Sequence, residues 1–173
     1  AYRILRQDLG LASARLLAAG YMAPEHRPYL HGIEEDLRGW GLLSEFEYRG
    51  EVDRAGKIGV LHSIDVLSVP SPYAEPKGLY LLEAMANGVP WVQPRHGAFV
   101  EVHAATGGGL LFEPGDERGL AEQLLALARD PERAAELGRR GAAGVRKHYS
   151  AARMAERALE VYAAAGARPH AVA

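Results

Sequence analysis

Short apolar runs alternate with helical patterns along most of this 173-residue chain, and that alternation restricts its fold more than any other feature. It is typical of a parallel α/β sheet with helices on both faces. Three of the runs are apolar throughout, as expected for strands buried on both sides. The predicted strands are Arg15–Gly20, Glu45–Arg49, Asp65–Pro70, Pro90–Gln93 and Gly109–Phe112.

Local signals predict where the helices begin. Asp53, Asp116 and Ser150 each precede a helical pattern and can accept hydrogen bonds from first-turn amides. Asp130 followed by Pro131 starts a further helix, because proline suits the first helical position. The predicted apolar faces are Leu30, Ile33 and Leu37 ahead of a terminating Gly41, then Leu120, Leu124 and Leu127, and finally Met154, Ala158, Val161 and Tyr162.

Composition excludes several functional classes. The chain has no cysteine, which excludes disulfides, thiolate metal sites and cysteine nucleophiles. A net charge of −2 gives no electrostatic reason to expect a nucleic-acid partner. No apolar stretch is long enough to span a bilayer, and the histidines lack zinc-binding spacing. We therefore expect no metal, no membrane-spanning segment and a cytoplasmic location.

The stretch from Pro70 to Gly88 carries the chemistry. A strand is predicted to end at Pro70 and a helix to begin near Gly78, and ligands of open α/β sheets bind at the loops that follow the strands. The amides of Gly78, Leu79 and Tyr80 are unpaired donors of the new helix, and with its dipole they suit a diphosphate. Gly78 has no side chain to obstruct the ligand.

Two glutamates lie in this stretch, and each has two interpretations. Glu83 falls on a helix that is apolar on nearly every face. Either a ribose diol donates hydrogen bonds to it, or it lies on the one solvated edge of the helix. Glu75 lies in the preceding loop, where an acidic side chain is more often simply solvated. The residue pattern alone leaves both alternatives open.

A family resemblance favours the functional interpretations. Glu75 and Glu83 enclose seven residues, and this spacing resembles the E-x₇-E signature of retaining, family-4 glycosyltransferases of the GT-B fold. The similarity continues in order through Tyr48–Val52, Ile64–Val66, Asn87–Pro90, Gly97–Glu101, Gly108–Phe112 and Pro114–Asp116. The resemblance implies a Rossmann-like domain over residues 1–165, one half of a two-domain enzyme, with a disordered tail over 166–173.

The resemblance also implies roles for individual residues. Glu75 is expected to contact the donor sugar and stabilise positive charge at its anomeric carbon, while Glu83 binds the ribose. The amides of Lys77, Gly78 and Leu79 are expected to hold the sugar and the diphosphate. The further donor-binding residues are Gly50 and Val52 at the base, Tyr80 at the helix start and Gly97 facing the sugar. The donor is a nucleoside diphosphate sugar, and no other cofactor is required.

Some residues depart from the family pattern or keep two interpretations. The family often has an aromatic residue where Lys77 stands. A lysine there either contacts the phosphates or is a solvated loop residue. Arg95 and His96 could reach the donor, although loop residues of this kind are usually solvated.

Two other functions are compatible with the same resemblance. A non-catalytic nucleotide-sugar binding module and a related sugar-nucleotide epimerase are the alternatives. A dehydrogenase is disfavoured because no G-x-G-x-x-G opens a helix after a strand.

Ala1 resembles a position inside the helix that follows the family's first strand. We therefore expect preceding residues to supply that strand, a phosphate-clamping pair and an acceptor-binding domain. Without them Arg15–Gly20 should border a gap in the sheet, and the fragment should be inactive.

Overall fold

The computed structural model describes residues 1–166 and is mostly helical, with short parallel strands. A short π-helical segment, Ile4–Asp8, comes first, and 3₁₀ turns occur at Pro24–His26 and Leu43–Glu45. The strands are β1 (Leu16–Ala18), β2 (Phe46–Tyr48), β3 (Trp91–Pro94) and β4 (Gly109–Phe112). The helices are α1 (Arg27–Gly39), α2 (Arg54–His62), α3 (Leu79–Ala86), α4 (Ala98–Thr106), α5 (Glu117–Arg129), α6 (Pro131–His148) and α7 (Ala151–Gly166).

The predicted helix starts are confirmed by hydrogen bonds. The side chains of Asp53, Asp116 and Asp130 each accept from the amide three residues later, at 2.7–2.9 Å. The Ser150 hydroxyl oxygen accepts from the Arg153 amide at 3.2 Å. These caps satisfy amides that have no partner inside the helix. The last helix includes Gly166, and the rest of the segment predicted as a disordered tail lies outside the described residues.

Parallel pairing joins the strands in two pairs. β1 pairs with β2, with Leu17 opposite Glu47, and β3 pairs with β4, with Trp91 opposite Gly109. Within residues 1–166, Arg15–Gly20 does not pair with Asp65–Pro70. That a strand from outside these residues completes one doubly wound sheet stays a prediction.

The predicted strand Asp65–Pro70 is wrong in its extent. Only Leu67 pairs, through its amide to the Pro90 carbonyl and its carbonyl to the Val92 amide, each at 3.0 Å. Two residues later the Val69 amide donates to the buried side chain of Gln93 at 3.2 Å instead of to a strand. The Gln93 side chain therefore takes the place of the next backbone hydrogen bond between strands, and the segment forms a single β-bridge.

The main core lies between α3, β3, α4 and α6. Its buried members are Leu81, Met85, Trp91, Phe99, Val102 and Val145. A second cluster joins α2 to the end of α3 through Leu61, Ala84 and Val89. These contacts hold α3 in place from both sides, which matters because the predicted site residues lie along it. The predicted stripe on α7, by contrast, leaves Met154, Val161 and Tyr162 exposed.

A glycine on α6 makes the close packing of that helix possible. A Cβ atom at Gly138 would overlap the backbone carbonyl of Gly88. We expect Gly138→Ala to destabilise the fold by about 1–3 kcal/mol, since a packed core resists added atoms. Gly32 on α1 is the matched control, because a Cβ atom there meets nothing within 4 Å. Gly32→Ala should be stabilising by about 0.5–1 kcal/mol through helix propensity. Denaturant unfolding that ranks the two variants equal would contradict this packing.

Candidate functional site

Glu75 forms a compact turn with the start of α3. Its Oε1 accepts hydrogen bonds from the amides of Lys77 and Gly78, both at 3.1 Å. The Gly78 amide first, and then the Lys77 amide, lower the pKa of the Glu75 carboxyl. The carboxylate therefore stays charged under neutral conditions. Two of the amides predicted to hold a diphosphate, those of Lys77 and Gly78, therefore already bind an anion, the carboxylate of Glu75.

The next two amides of α3 have no acceptor within the described residues. Those of Leu79 and Tyr80 have no hydrogen bond within residues 1–166, as expected for the first turn of a helix. Gly78 precedes them with φ of +63°, a conformation that favours glycine. A Cβ atom on Gly78 would lie 3.2 Å from the Phe99 ring. The backbone at the start of α3 therefore lies close to the Phe99 ring, with little room for a side chain at residue 78.

Gly97 packs directly on the Glu75 turn, whereas its predicted approach to the sugar stays a prediction. The Ala98 amide donates to the Glu75 carbonyl at 2.8 Å. A Cβ atom on Gly97 would lie 2.5 Å from that carbonyl oxygen and 2.7 Å from the Glu75 amide nitrogen. Gly97 has φ of +56° and ψ of −148°, which is essentially a glycine conformation. The position of Glu75 therefore depends on the absence of a side chain at residue 97.

Glu83 lies on the last turn of α3, at a cavity of about 480 Å³. Its side chain is 45% exposed, so it occupies the solvated edge of the helix. The Lys57 ammonium donates to Glu83 Oε1 at 2.7 Å from the facing helix α2. Val52 lines the same cavity, whereas Gly50 lies two residues earlier in a turn with φ of +66°. The structure therefore brings Val52 and Glu83 together.

The Glu75 turn and the Glu83 cavity lie at opposite ends of one helix, α3. Gly78 immediately precedes α3, and Glu83 follows it by five residues. A helix rises about 1.5 Å per residue, so the two positions are separated by about 7 Å along the axis. An anion at the start of α3 and a pair of hydroxyls at Glu83 can belong to a single elongated ligand.

Tyr80 and His96 have polar side chains whose burial the sequence did not indicate. The Tyr80 hydroxyl and both ring nitrogens of His96 are buried and have no hydrogen-bond partner within the described residues. Their rings lie 6.4 Å and 6.0 Å from Phe99, measured between centroids. Burial, and then the charge of Glu75, raises the pKa of Tyr80 to about 12. Its phenol is therefore a hydrogen-bond donor at neutral pH, and the interpretation of His96 as solvated is wrong.

The remaining basic residues have simpler surroundings. Arg95 is exposed and pairs with Glu113 at 3.0 Å. Lys77 is exposed, and only its amide takes part in the turn.

Lys57 was missed as a site residue, although the sequence contains one signal for it. It is the lone lysine on α2, four residues after the Asp53 cap and five residues after Val52, the end of the segment predicted to meet the base.

Two further properties concern residues 1–166. None of the helices there is long and apolar enough to cross a membrane. No group of three or more His, Asp or Glu side chains in that part of the chain could hold a metal ion.

Comparison with known proteins identifies the family. The model of the family described as glycosyl transferases group 1 matches residues 1–143. The chain belongs to this family. Phosphatidyl-myo-inositol mannosyltransferase from Mycobacterium leprae is 36% identical over 133 residues, which are 76% of this chain and 35% of that protein.

Solved glycosyltransferase structures confirm the predicted GT-B fold class. Sucrose-phosphate synthase from Thermosynechococcus elongatus superposes with a TM-score of 0.78 at 26% identity, covering 94% of this chain and 42% of that one. HepE from Anabaena, solved in complex with UDP, gives a TM-score of 0.75 at 19% identity, covering 92% and 51%. The last likeness concerns the fold alone. The chain thus spans between about a third and a half of these proteins' lengths.

Proposed function

We propose that this chain is the donor-binding half of a glycosyltransferase that uses a nucleoside diphosphate sugar and retains the anomeric configuration. The observation that carries the proposal is the arrangement along α3. The Glu75 turn and the open amides lie at the start of the helix, and Glu83 lies beside a cavity at its end. This order matches that of a sugar, a diphosphate and a ribose.

The start of α3 would bind the diphosphate. The amides of Leu79 and Tyr80 are free, and those of Lys77 and Gly78 already hold a carboxylate. Helix N-termini bind anions because amides and dipole act together. A donor phosphate would displace the Glu75 carboxylate from these amides. Hydrogen bonds from these backbone amides would then stabilise the leaving diphosphate without requiring a metal.

The Glu75 carboxylate, once released, would lie beside the sugar. Release removes the amide hydrogen bonds that lower its pKa, but an ordinary carboxyl group is still ionised at neutral pH, so it remains negative while positive charge develops at the anomeric carbon. Gly97 allows the facing loop to approach closely on the other side. The buried hydroxyl of Tyr80 has no hydrogen-bond partner within residues 1–166, and a sugar hydroxyl that reached it could accept its proton. These features support sugar transfer rather than nucleotide binding alone.

The cavity beside Glu83 would take the nucleoside. Val52, Ile58 and Leu61 supply apolar contacts, and the Glu83 carboxylate can accept from both ribose hydroxyls. HepE binds UDP in its solved complex, which supports a nucleotide ligand for this fold. The identity of the base and the sugar, the acceptor, the cytoplasmic location and the inactivity of these 173 residues by themselves all stay predictions.

Calorimetry on Glu83→Ala tests the nucleotide site. Titration with UDP, GDP and ADP identifies the ligand bound most tightly by the unmodified protein. Hydrogen bonds to a charged group contribute about 1.5–3 kcal/mol each, so the variant should bind that nucleotide about tenfold or more weakly. Glu122→Ala, which removes an exposed glutamate on α5, is the control and should bind normally. Equal affinities for the two variants would show that the ribose assignment is wrong.

A further inference from the structure

Lys57 contacts Glu83 and no assigned role explains it. We propose that Lys57 is a positioning residue for the donor nucleotide, which acts by orienting the Glu83 carboxylate toward the ribose. The inference rests on the proposed function and adds a residue from a second helix to the site. Its basis is the 2.7 Å hydrogen bond from the Lys57 ammonium to Glu83 Oε1, at the edge of the cavity.

The backbone on both sides of this ion pair is held in place. The Asp53 side chain caps α2 through the Gly56 amide at 2.7 Å, one residue before Lys57. Leu61, farther along α2, packs on Ala84 and Val89 at the end of α3. The distance between the two helices is therefore set by buried contacts, and Lys57 reaches Glu83 from a fixed base.

Stability alone does not account for the pair. The side chains are 46% and 45% exposed, and exposed ion pairs contribute little to folding because water screens them. Orientation is the property that such a pair supplies. Lys57 binds Oε1 and so fixes the plane of the carboxylate, whose remaining lone pairs can accept from the ribose hydroxyls. A glutamate that is already ordered loses less conformational entropy when the ligand binds.

Charge gives a second reason for a lysine at this position. A nucleoside diphosphate is an anion, and an isolated carboxylate in the cavity would repel it. The Lys57 ammonium offsets the Glu83 charge while preserving its capacity to accept hydrogen bonds. The neighbouring Asn87 cannot replace it, because its side-chain amide is neutral; Nδ2 donates to the Glu83 carbonyl at 2.9 Å and Oδ1 contacts the His62 ring at 3.1 Å.

The test compares ribonucleotide and dideoxyribonucleotide binding in Lys57 variants. Calorimetry uses the tightest of UDP, GDP and ADP together with its 2′,3′-dideoxy analogue. Lys57→Met keeps the aliphatic stem and removes the charge, and we expect about a five- to tenfold loss of ribonucleotide affinity. The dideoxy analogue should lose distinctly less affinity, since it has no hydroxyls for Glu83 to bind and feels only the unbalanced Glu83 charge. Lys57→Arg, which restores a cation, should recover most of the loss.

Two further variants make the result specific. In a Glu83→Gln background, Lys57→Met should have almost no additional effect, because its action passes through the carboxylate. Lys147→Met removes an exposed lysine on α6 and should bind both ligands normally. Thermal unfolding of Lys57→Met should match that of the unmodified protein, which separates positioning from a folding defect.

The outcomes distinguish this inference from the function on which it rests. An equal loss of ribonucleotide and dideoxynucleotide affinity, or no loss at all, would overturn the positioning role while leaving the nucleotide site intact. Failure of the unmodified protein to bind any of the three nucleotides would overturn the proposed function, and the role of Lys57 with it. Selective loss with the ribonucleotide and rescue by arginine support the inference.

Discussion

Replacement of Glu75 by glutamine should lower sugar-donor turnover in the whole protein by on the order of 10²–10³-fold, the range seen when one electrostatic contact to a transition state is removed. Glutamine keeps the size of the side chain and an oxygen that can accept from the Lys77 and Gly78 amides. It removes the negative charge that would face the developing positive charge at the anomeric carbon. The loss should therefore appear in kcat, measured as release of nucleoside diphosphate from the donor.

Nucleotide affinity provides the internal check on this variant. Glu75 competes for the amides that would bind the phosphates, and a neutral amide oxygen is a weaker acceptor than a carboxylate. Calorimetry should therefore show no loss of nucleoside diphosphate affinity in Glu75→Gln. Glu122→Gln, on the exposed side of α5, is the control and should retain full turnover. A Glu75→Gln variant with weak nucleotide binding but normal kcat would assign this residue to binding instead.

Substitution of Gly97 by alanine should be the most damaging change that adds a single methyl group. The new Cβ atom would lie 2.5 Å from the Glu75 carbonyl oxygen and 2.9 Å from the Ala74 carbonyl carbon. These are backbone atoms, so the whole Glu75 turn has to move. A displacement of about 1 Å at a reacting group can cost on the order of 10²-fold in rate. We expect a turnover loss of that order, together with destabilisation of about 2–4 kcal/mol from strain and overlap.

Gly115 is the matched control for this substitution. It also has a positive φ, +80°, but a Cβ atom there meets nothing within 4 Å. Gly115→Ala should therefore lose only about 1–2 kcal/mol, the cost of a left-handed conformation, and retain turnover. Kinetics and denaturant unfolding of both variants separate backbone strain from displacement of the Glu75 turn. If the two variants behave alike, the contact between Gly97 and Glu75 has no role in the site.

The helix starts are the part that the sequence predicted well. The caps at Asp53, Asp116, Asp130 and Ser150 act within three residues, so a short stretch of sequence contains both partners. The Glu75 turn is equally local, because its carboxylate binds amides two and three residues later. The α/β class was also predictable, because each short apolar run and each helical pattern can be recognised within a few residues.

Pairing between distant segments was less predictable. Asp65–Pro70 has the composition of a strand but forms one bridge, because strand length depends on which neighbours supply hydrogen bonds. His96 lies in a loop, where residues are usually solvated, yet its ring nitrogens are buried beside Phe99. Neither outcome is encoded by the residues immediately around it.

The candidate site shows the same division. The sequence by itself determined the helix caps, the Glu75 turn and the order of elements, because each depends on hydrogen bonds or periodicity within a few residues. Only the tertiary structure decided that Gly97 contacts Glu75 and that Lys57 faces Glu83, which is 26 residues away. That pairing follows from the packing of Leu61 on Ala84 and Val89. The relative position of two helices is set by the fit of their buried faces, and no local pattern specifies that fit.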